Sequence, residues 1–132
     1  MAKMRHIAII VKNADETATF FEKAFGMTRA GTARRGLYVS DGTINIALLE
    51  QERDDEPLGV AHFGMWCDDL DEAQTQAEAA GATYLTGRPT SALSFYEAKF
   101  RSPEGFVFDL THNGWAGAVK DVVPAKAKEA AE

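Results

Sequence analysis

The sequence predicts an α+β domain made of two copies of one strand–helix–strands module, related by a pseudo-twofold axis. Three observations predict it: an internal repeat, a histidine opening the apolar run of each copy, and matching helix caps. Residues 6–25 and 62–81 align at an offset of 56, with six of twenty positions identical. These are His6/His62, Asp15/Asp71, Glu16/Glu72, Thr19/Thr75, Glu22/Glu78 and Ala24/Ala80. Two long copies are too few for a solenoid, which needs several stacked repeats.

The first strand of each copy is a short β-rich run, Ile7–Val11 and Phe63–Cys67. Asn13 then caps a helix with Glu16 three residues on, and Asp69 caps another with Glu72 three residues on. That is capping-box spacing. Apolar positions recur at helical intervals: Ala18, Phe21, Ala24 and Phe25, then Leu70, Ala73, Ala77 and Ala80. Gly26 and Gly81 stand where a left-handed helix terminus is favoured.

The rest of each copy reads as strands. In copy one they fall at Thr28–Thr32, Leu37–Ser40 and Thr43–Leu49, with Asp41-Gly42 as the hairpin signal. In copy two they fall at Thr83–Thr86, Phe95–Arg101 and Phe106–His112, with Pro103-Glu104-Gly105 as the turn. The acid-rich run Gln51–Pro57 reads as a solvated loop between copies. Residues 1–118 are expected to form one domain, with modules 4–50 and 60–113, and 119–132 a flexible tail.

Composition narrows the function. The chain has 132 residues, 45% hydrophobic and 26% charged, which suits one globular domain. A net charge of -6, with Arg34-Arg35 and other bases scattered among more numerous acids, argues against nucleic acid as a partner. No apolar run reaches the roughly 20 residues of a membrane span. Five apolar residues after Arg5 are too few for a signal peptide, so a cytoplasmic protein is expected. A single cysteine excludes a disulfide framework and a thiolate zinc site. Cys67 reads as a small buried hydrophobe.

Strand alternation places the chemistry. His6 shares a face with Ala8 and Ile10, and His62 with Gly64 and Trp66. The opposite faces suit helix packing, so both histidines should point into the concavity of the sheet. On the last strand Phe106, Phe108 and Leu110 form the apolar face. Val107, Asp109 and Thr111 form the other. A buried carboxylate among such residues needs a cation or a metal. Alternatively Asp109 pairs with Lys99 or Arg101. Two imidazoles and one carboxylate make a facial triad with positions left for substrate. His112 has the opposite parity to Asp109 and reads as structural.

The motifs "HIAIIV", "FFEKAFGM", "HFGMWCDDLDEA", "EAAGA" and "FRSPEGFVFDL" span residues 5 to about 115. Together they resemble the vicinal oxygen chelate superfamily of glyoxalases, epimerases, extradiol dioxygenases and bleomycin-resistance proteins. The resemblance implies two βαβββ modules in a glyoxalase-like fold with a cupped mixed sheet. It implies metal ligation by His6, His62 and Asp109, the last where the family usually has Glu. The fourth family position best matches Asn45, with Glu50 an outside candidate. A carboxylate base is then absent from that place, which counts against a standard glyoxalase.

The leading expectation is a metal-dependent enzyme of extradiol-dioxygenase type acting on a small oxygen-rich molecule. Fe(II) is favoured, with Ni, Co, Zn or Mn as the other divalent options. Tyr96 or Lys99 would supply a proton, and Asn45, Trp66 and Thr111 would contact substrate. Tyr38 and Phe100 are further residues expected to face the cup. A lyase or isomerase of glyoxalase or epimerase type is the alternative. A metal-free small-molecule binder of the drug-resistance type is another. Relatives of this length imply a homodimer.

Overall fold

The computed structural model of the chain describes residues 1–88 and 97–123. Its elements run β1 (Lys3–Val11), α1 (Ala14–Phe25), β2 (Thr28–Ala33), β3 (Gly36–Ser40), β4 (Asn45–Glu50) and β5 (Gly59–Trp66). They continue with α2 (Leu70–Ala79), β6 (Thr83–Thr86), β7 (Ala98–Arg101) and β8 (Val107–Thr111). The described strands form one mixed sheet in the order β2-β3-β4-β1-β5-β8-β7-β6. Each half has the same internal order about the central antiparallel pair β1–β5. This is the pseudo-twofold arrangement that the repeat predicts.

Local chemistry fixes the element ends. Asn13 Oδ1 accepts from Glu16 N–H, and Asp69 Oδ1 accepts from Glu72 N–H, so both predicted caps form. Gly26 ends α1 at φ 68, a conformation that an L side chain adopts at a cost. After α2, Gly81 N–H reaches Glu78 C=O and Ala82 N–H reaches Ala77 C=O, the paired bonds of a Schellman turn.

β4 and β8 start later than their composition suggests, and the expected strand Phe95–Arg101 pairs from Ala98, with Phe95 and Tyr96 outside the described residues. Asp41 Oδ1 accepts from the N–H groups of both Thr43 and Ile44, so pairing of β4 begins at Asn45. Ser102 Oγ accepts from Phe106 N–H, so β8 begins at Val107. Short side-chain acceptors compete for backbone donors in this way. The linker is a largely exposed loop, as expected, with an anchor at Arg35. Arg35 is mostly buried and reaches Glu50 C=O, Glu52 and Glu56, pulling the acidic run back onto β3.

Two apolar clusters lie beneath the two helices. Ala14 and Ala18 of α1 pack with Val39, Ile46 and Leu48, with Ile9 and Val11 at their edge. Leu70 of α2 packs with Cys67, Ala98, Phe100 and Leu110. Phe100 therefore belongs to this core and not to the cup, and is fully buried. Its neighbour Lys99 takes the opposite face, as strand alternation requires. The opposite face of the central strands is left for His6 and His62.

The β1–β5 pairing is interrupted twice. Met4 pairs with Met65 and His6 with Gly64, leaving Arg5 as an extra residue. Ala8 pairs with His62 and Ile9 with Val60, leaving Ala61 extra. Each bulge immediately precedes a histidine, one in each module. Bulges re-aim neighbouring side chains, and here they flank both imidazoles.

Past β8, the chain crosses the cup. Asn45 Nδ2 donates to Ala116 C=O, and Ser40 Oγ donates to Gly117 C=O. Val119 N–H bonds to Thr43 C=O, and Arg5 donates to the carbonyls of Val119 and Lys120. The first residues of the expected tail are thus tied to β1 and to the β3–β4 turn. Residues 124–132 lie outside the described residues.

Candidate metal centre

His6 on β1, His62 on β5 and Asp109 on β8 meet at the centre of the concave face. Their ligand atoms all lie within 4.8 Å of one another. The imidazole centroids are 5.4 Å apart. Asp109 Oδ2 lies 3.1 Å from His62 Nε2 and 3.9 Å from His6 Nε2. This oxygen is buried and has no hydrogen-bond partner among the described residues. A buried carboxylate oxygen without a hydrogen bond is costly unless a cation or a water satisfies it.

The tautomer of His6 follows from its neighbour. Because Asn45 Nδ2 is committed to Ala116 C=O, Asn45 Oδ1 faces the ring. That oxygen lies 2.7 Å from His6 Nδ1 and can only accept. Nδ1 therefore carries the proton, and Nε2 presents a lone pair toward Asp109. Burial lowers the His6 pKa to about 4, even though Asn45 and Asp109 act the other way. A neutral imidazole lone pair thus faces a buried carboxylate oxygen. Two acceptors pointed at each other repel, and a cation between them removes that repulsion. The donor set of two nitrogens and one oxygen fits a divalent metal.

Asp109 is held from its other side. Lys99 Nζ donates to Asp109 Oδ1 at 2.9 Å. Burial acts to raise the Asp109 pKa, but His62 and Lys99 outweigh it and hold the carboxyl below its usual range. The carboxylate is therefore ionised at neutral pH, with Oδ2 directed at the two imidazoles. Asn45 beside His6 and Lys99 beside Asp109 fix the orientation of these two side chains.

A cavity of about 420 Å³ opens beside the triad. Ala33, Ala47, Leu49, Ala61 and Val107 supply apolar wall, and Tyr38, Arg34, Lys99 and Glu97 supply polar groups. Burial and the nearby Glu97 raise the Tyr38 pKa, so its phenol stays protonated. Asn45, Trp66 and Thr111 do not line this cavity. Asn45 and Thr111 are fully buried. Thr111 Oγ1 accepts from Asn113 N–H, and Trp66 Nε1 donates to His112 C=O. The segment after β8 covers that end of the concave face, which strand parity alone does not reveal. Glu50 is also elsewhere: its Oε2 accepts from Ala14 N–H at the start of α1. Tyr96 lies outside the described residues.

Two site residues escape the sequence reading. Glu97 lines the cavity, and its Oε1 accepts from Trp115 Nε1 at 2.5 Å. The indole of Trp115 also stacks on His6, with centroids 4.7 Å apart and planes 7° apart. Burial and then Asp109 push the Glu97 pKa up. The two-residue spacing of Glu97 and Lys99 was the available signal, since it puts both on one strand face. Nothing in the spacing of Trp115 announces its contacts.

The sequence model of the Glyoxalase/Bleomycin resistance protein/Dioxygenase superfamily matches residues 3–110. Among solved structures, a methylmalonyl-CoA epimerase from Streptomyces coelicolor, in complex with 2-nitronate-propionyl-CoA, is similar at TM-score 0.65 and 17% identity. The match covers 82% of this chain and 94% of that one. The 2,3-dioxygenase LapB from Pseudomonas sp. KL28 matches at TM-score 0.62 and 22% identity, over 92% of this chain and 42% of that one. The Mn(II)-bound glyoxalase from Novosphingobium aromaticivorans matches at TM-score 0.65 and 18% identity, over 96% of this chain and 44% of that one. The chain thus spans less than half the length of the last two. At these identities the likeness shows the fold alone. No curated protein matches the chain. Among the described residues, no helix is long and apolar enough to cross a membrane.

Proposed function

The chain belongs to the Glyoxalase/Bleomycin resistance protein/Dioxygenase superfamily, and on that premise we propose that it is a metal-dependent enzyme of extradiol-dioxygenase type. His6, His62 and Asp109 hold one divalent cation, and a small substrate docks beside it through two adjacent oxygens. The observation that carries this reading is the unpartnered, buried Asp109 Oδ2 facing two imidazole nitrogens. When bound, the cation supplies Lewis acidity and, as Fe(II), redox chemistry with dioxygen.

The chain's own residues do the rest. Asn45 keeps the His6 Nε2 lone pair aimed at the site, and Lys99 keeps Asp109 in place. The apolar wall of Ala47, Leu49 and Val107 suits a flat ring and excludes water from it. Tyr38 offers a neutral donor from the first module, and Arg34 offers a positive charge at the mouth. The proposal includes a cytoplasmic homodimer in which each site is complete within one chain.

The second reading is a lyase or isomerase of glyoxalase or epimerase type. Glu97 favours it, because a cavity-lining carboxylate is the group that moves a proton beside a carbonyl. Metal-free ligand capture is less well supported, since a binder has no need for an orphaned carboxylate between two imidazoles.

Oxygen uptake by iron-loaded protein across a catechol panel tests the leading reading. Uptake abolished by His62→Ala is the expected result. Absence of uptake with every catechol, together with solvent deuterium entering a methylmalonyl or lactoyl thioester, would transfer the assignment to the second reading.

A further inference from the structure

We propose that Glu97 takes the proton released when a vicinal diol docks in the cup, and that Trp115 is the residue that positions it. The inference rests on the reading above and deepens it by assigning the proton acceptor.

Among the described residues that line the cavity, Glu97 is the one carboxylate. The other acids near the site are committed. Asp109 gives Oδ1 to Lys99 and directs Oδ2 at the imidazoles. Glu50 caps α1. His6 has its Nδ1 on Asn45, so that ring nitrogen is closed to substrate. Arg34, Arg35 and Lys99 are cations and can only donate.

Glu97 is also held. Trp115 Nε1 donates to Glu97 Oε1, while the face of the same indole lies on His6. Trp115 is buried, so it fixes the distance between a metal ligand and the carboxylate. Glu97 Oε2 lies on the Lys99 side, 3.9 Å from Nζ. The groups facing Glu97 are Asp109 from β8, Lys99 from β7, His62 from β5 and Tyr38 from β3. Burial raises its affinity for a proton.

The step balances. The O–H bond of one substrate hydroxyl breaks, its electron pair stays on the substrate oxygen, and the proton joins a Glu97 carboxylate oxygen. Lys99 lies close enough to stabilise the oxyanion left behind, as would a cation held by His6, His62 and Asp109, and Glu97 becomes a neutral acid able to return the proton later.

The test uses 4-nitrocatechol, whose absorption reports whether one or both hydroxyl protons are gone. It is titrated against the whole chain loaded with zinc, so that no turnover follows. Wild type should show the fully deprotonated bound probe at a pH at least one unit lower than Glu97→Gln does. Zinc content and probe occupancy should be equal in the two. Trp115→Phe should shift the pH in the same direction by less, and Glu97→Asp should restore part of the wild-type behaviour. An unchanged or lowered pH in Glu97→Gln overturns the inference and leaves the metal site standing. Loss of zinc from Glu97→Gln would place Glu97 among the ligands and also overturns it. A wild type that takes up no zinc overturns the functional reading, and this inference with it.

Discussion

Asn45 Oδ1 lies 2.7 Å from His6 Nδ1, and this one contact decides which imidazole nitrogen faces the cup. The amide cannot flip, because its nitrogen already serves Ala116 C=O. Replacing Asn45 with Ala removes the acceptor that fixes the Nδ1 tautomer and leaves that carbonyl unpaired. Outer-partner losses of this kind weaken metal binding by roughly 10- to 100-fold. A chelator-competition titration should find a loss in that range, with the far-UV spectrum unchanged. An affinity within twofold of wild type would deny Asn45 its orienting role.

The burial of His6 makes stability depend on pH. Its pKa falls from 6.5 in the unfolded chain to about 4 in the folded protein. Between those values the unfolded chain binds the extra proton and the folded one does not. The stabilisation is therefore whole above pH 6.5 and is lost as pH falls toward 4. The shift corresponds to about 3 kcal/mol in total. Urea unfolding of metal-free protein at a series of pH values should show this loss. In His6→Gln the slope over the same window should flatten.

Gly64 stands where the indole of Trp115 and the ring of His6 converge. A Cβ there would lie 2.6 Å from Trp115 and 3.0 Å from His6. Gly64→Ala must displace both rings, and Glu97 is attached to one of them. Metal affinity and catalysis should drop together, and the tryptophan emission should change. A variant with wild-type metal affinity and emission would show that the close approach is dispensable.

Phe100 separates core from cup. It is fully buried between α2 and the sheet, beside Leu70 and Leu110. Phe100→Ala should cost about 3–5 kcal/mol of stability, as aromatic deletions in cores do. Metal affinity should stay at the wild-type level, measured at a temperature where the variant is folded. A substrate-site residue would behave in the opposite way.

The elements that local chemistry controls were legible in the sequence. Asn13 and Asp69 cap the helices from three residues away, and alternation alone puts His6, His62 and Asp109 on one face. Pseudo-symmetry then brings the two histidines together, because they occupy equivalent places on the central strands. What strand parity misses is occupancy of the concave face. Trp66 and Thr111 have the parity of the cup, yet the chain past β8 covers their end of it. The contacts Trp115–His6 and Trp115–Glu97 link residues far apart in sequence through one indole, and no local pattern encodes them. Arg35 likewise gathers the acidic linker through side-chain reach that composition does not show.

The proposed metal site draws His6, His62 and Asp109 from a single chain. Elemental analysis of protein purified without chelators, with His62→Ala beside it, tests that claim most directly. The expected result is one divalent ion per chain in the wild type, whatever the oligomeric state, and its loss in the variant. Equal metal in both proteins, or none in either after reconstitution with Fe(II), Mn(II), Co(II), Ni(II) and Zn(II), would contradict it.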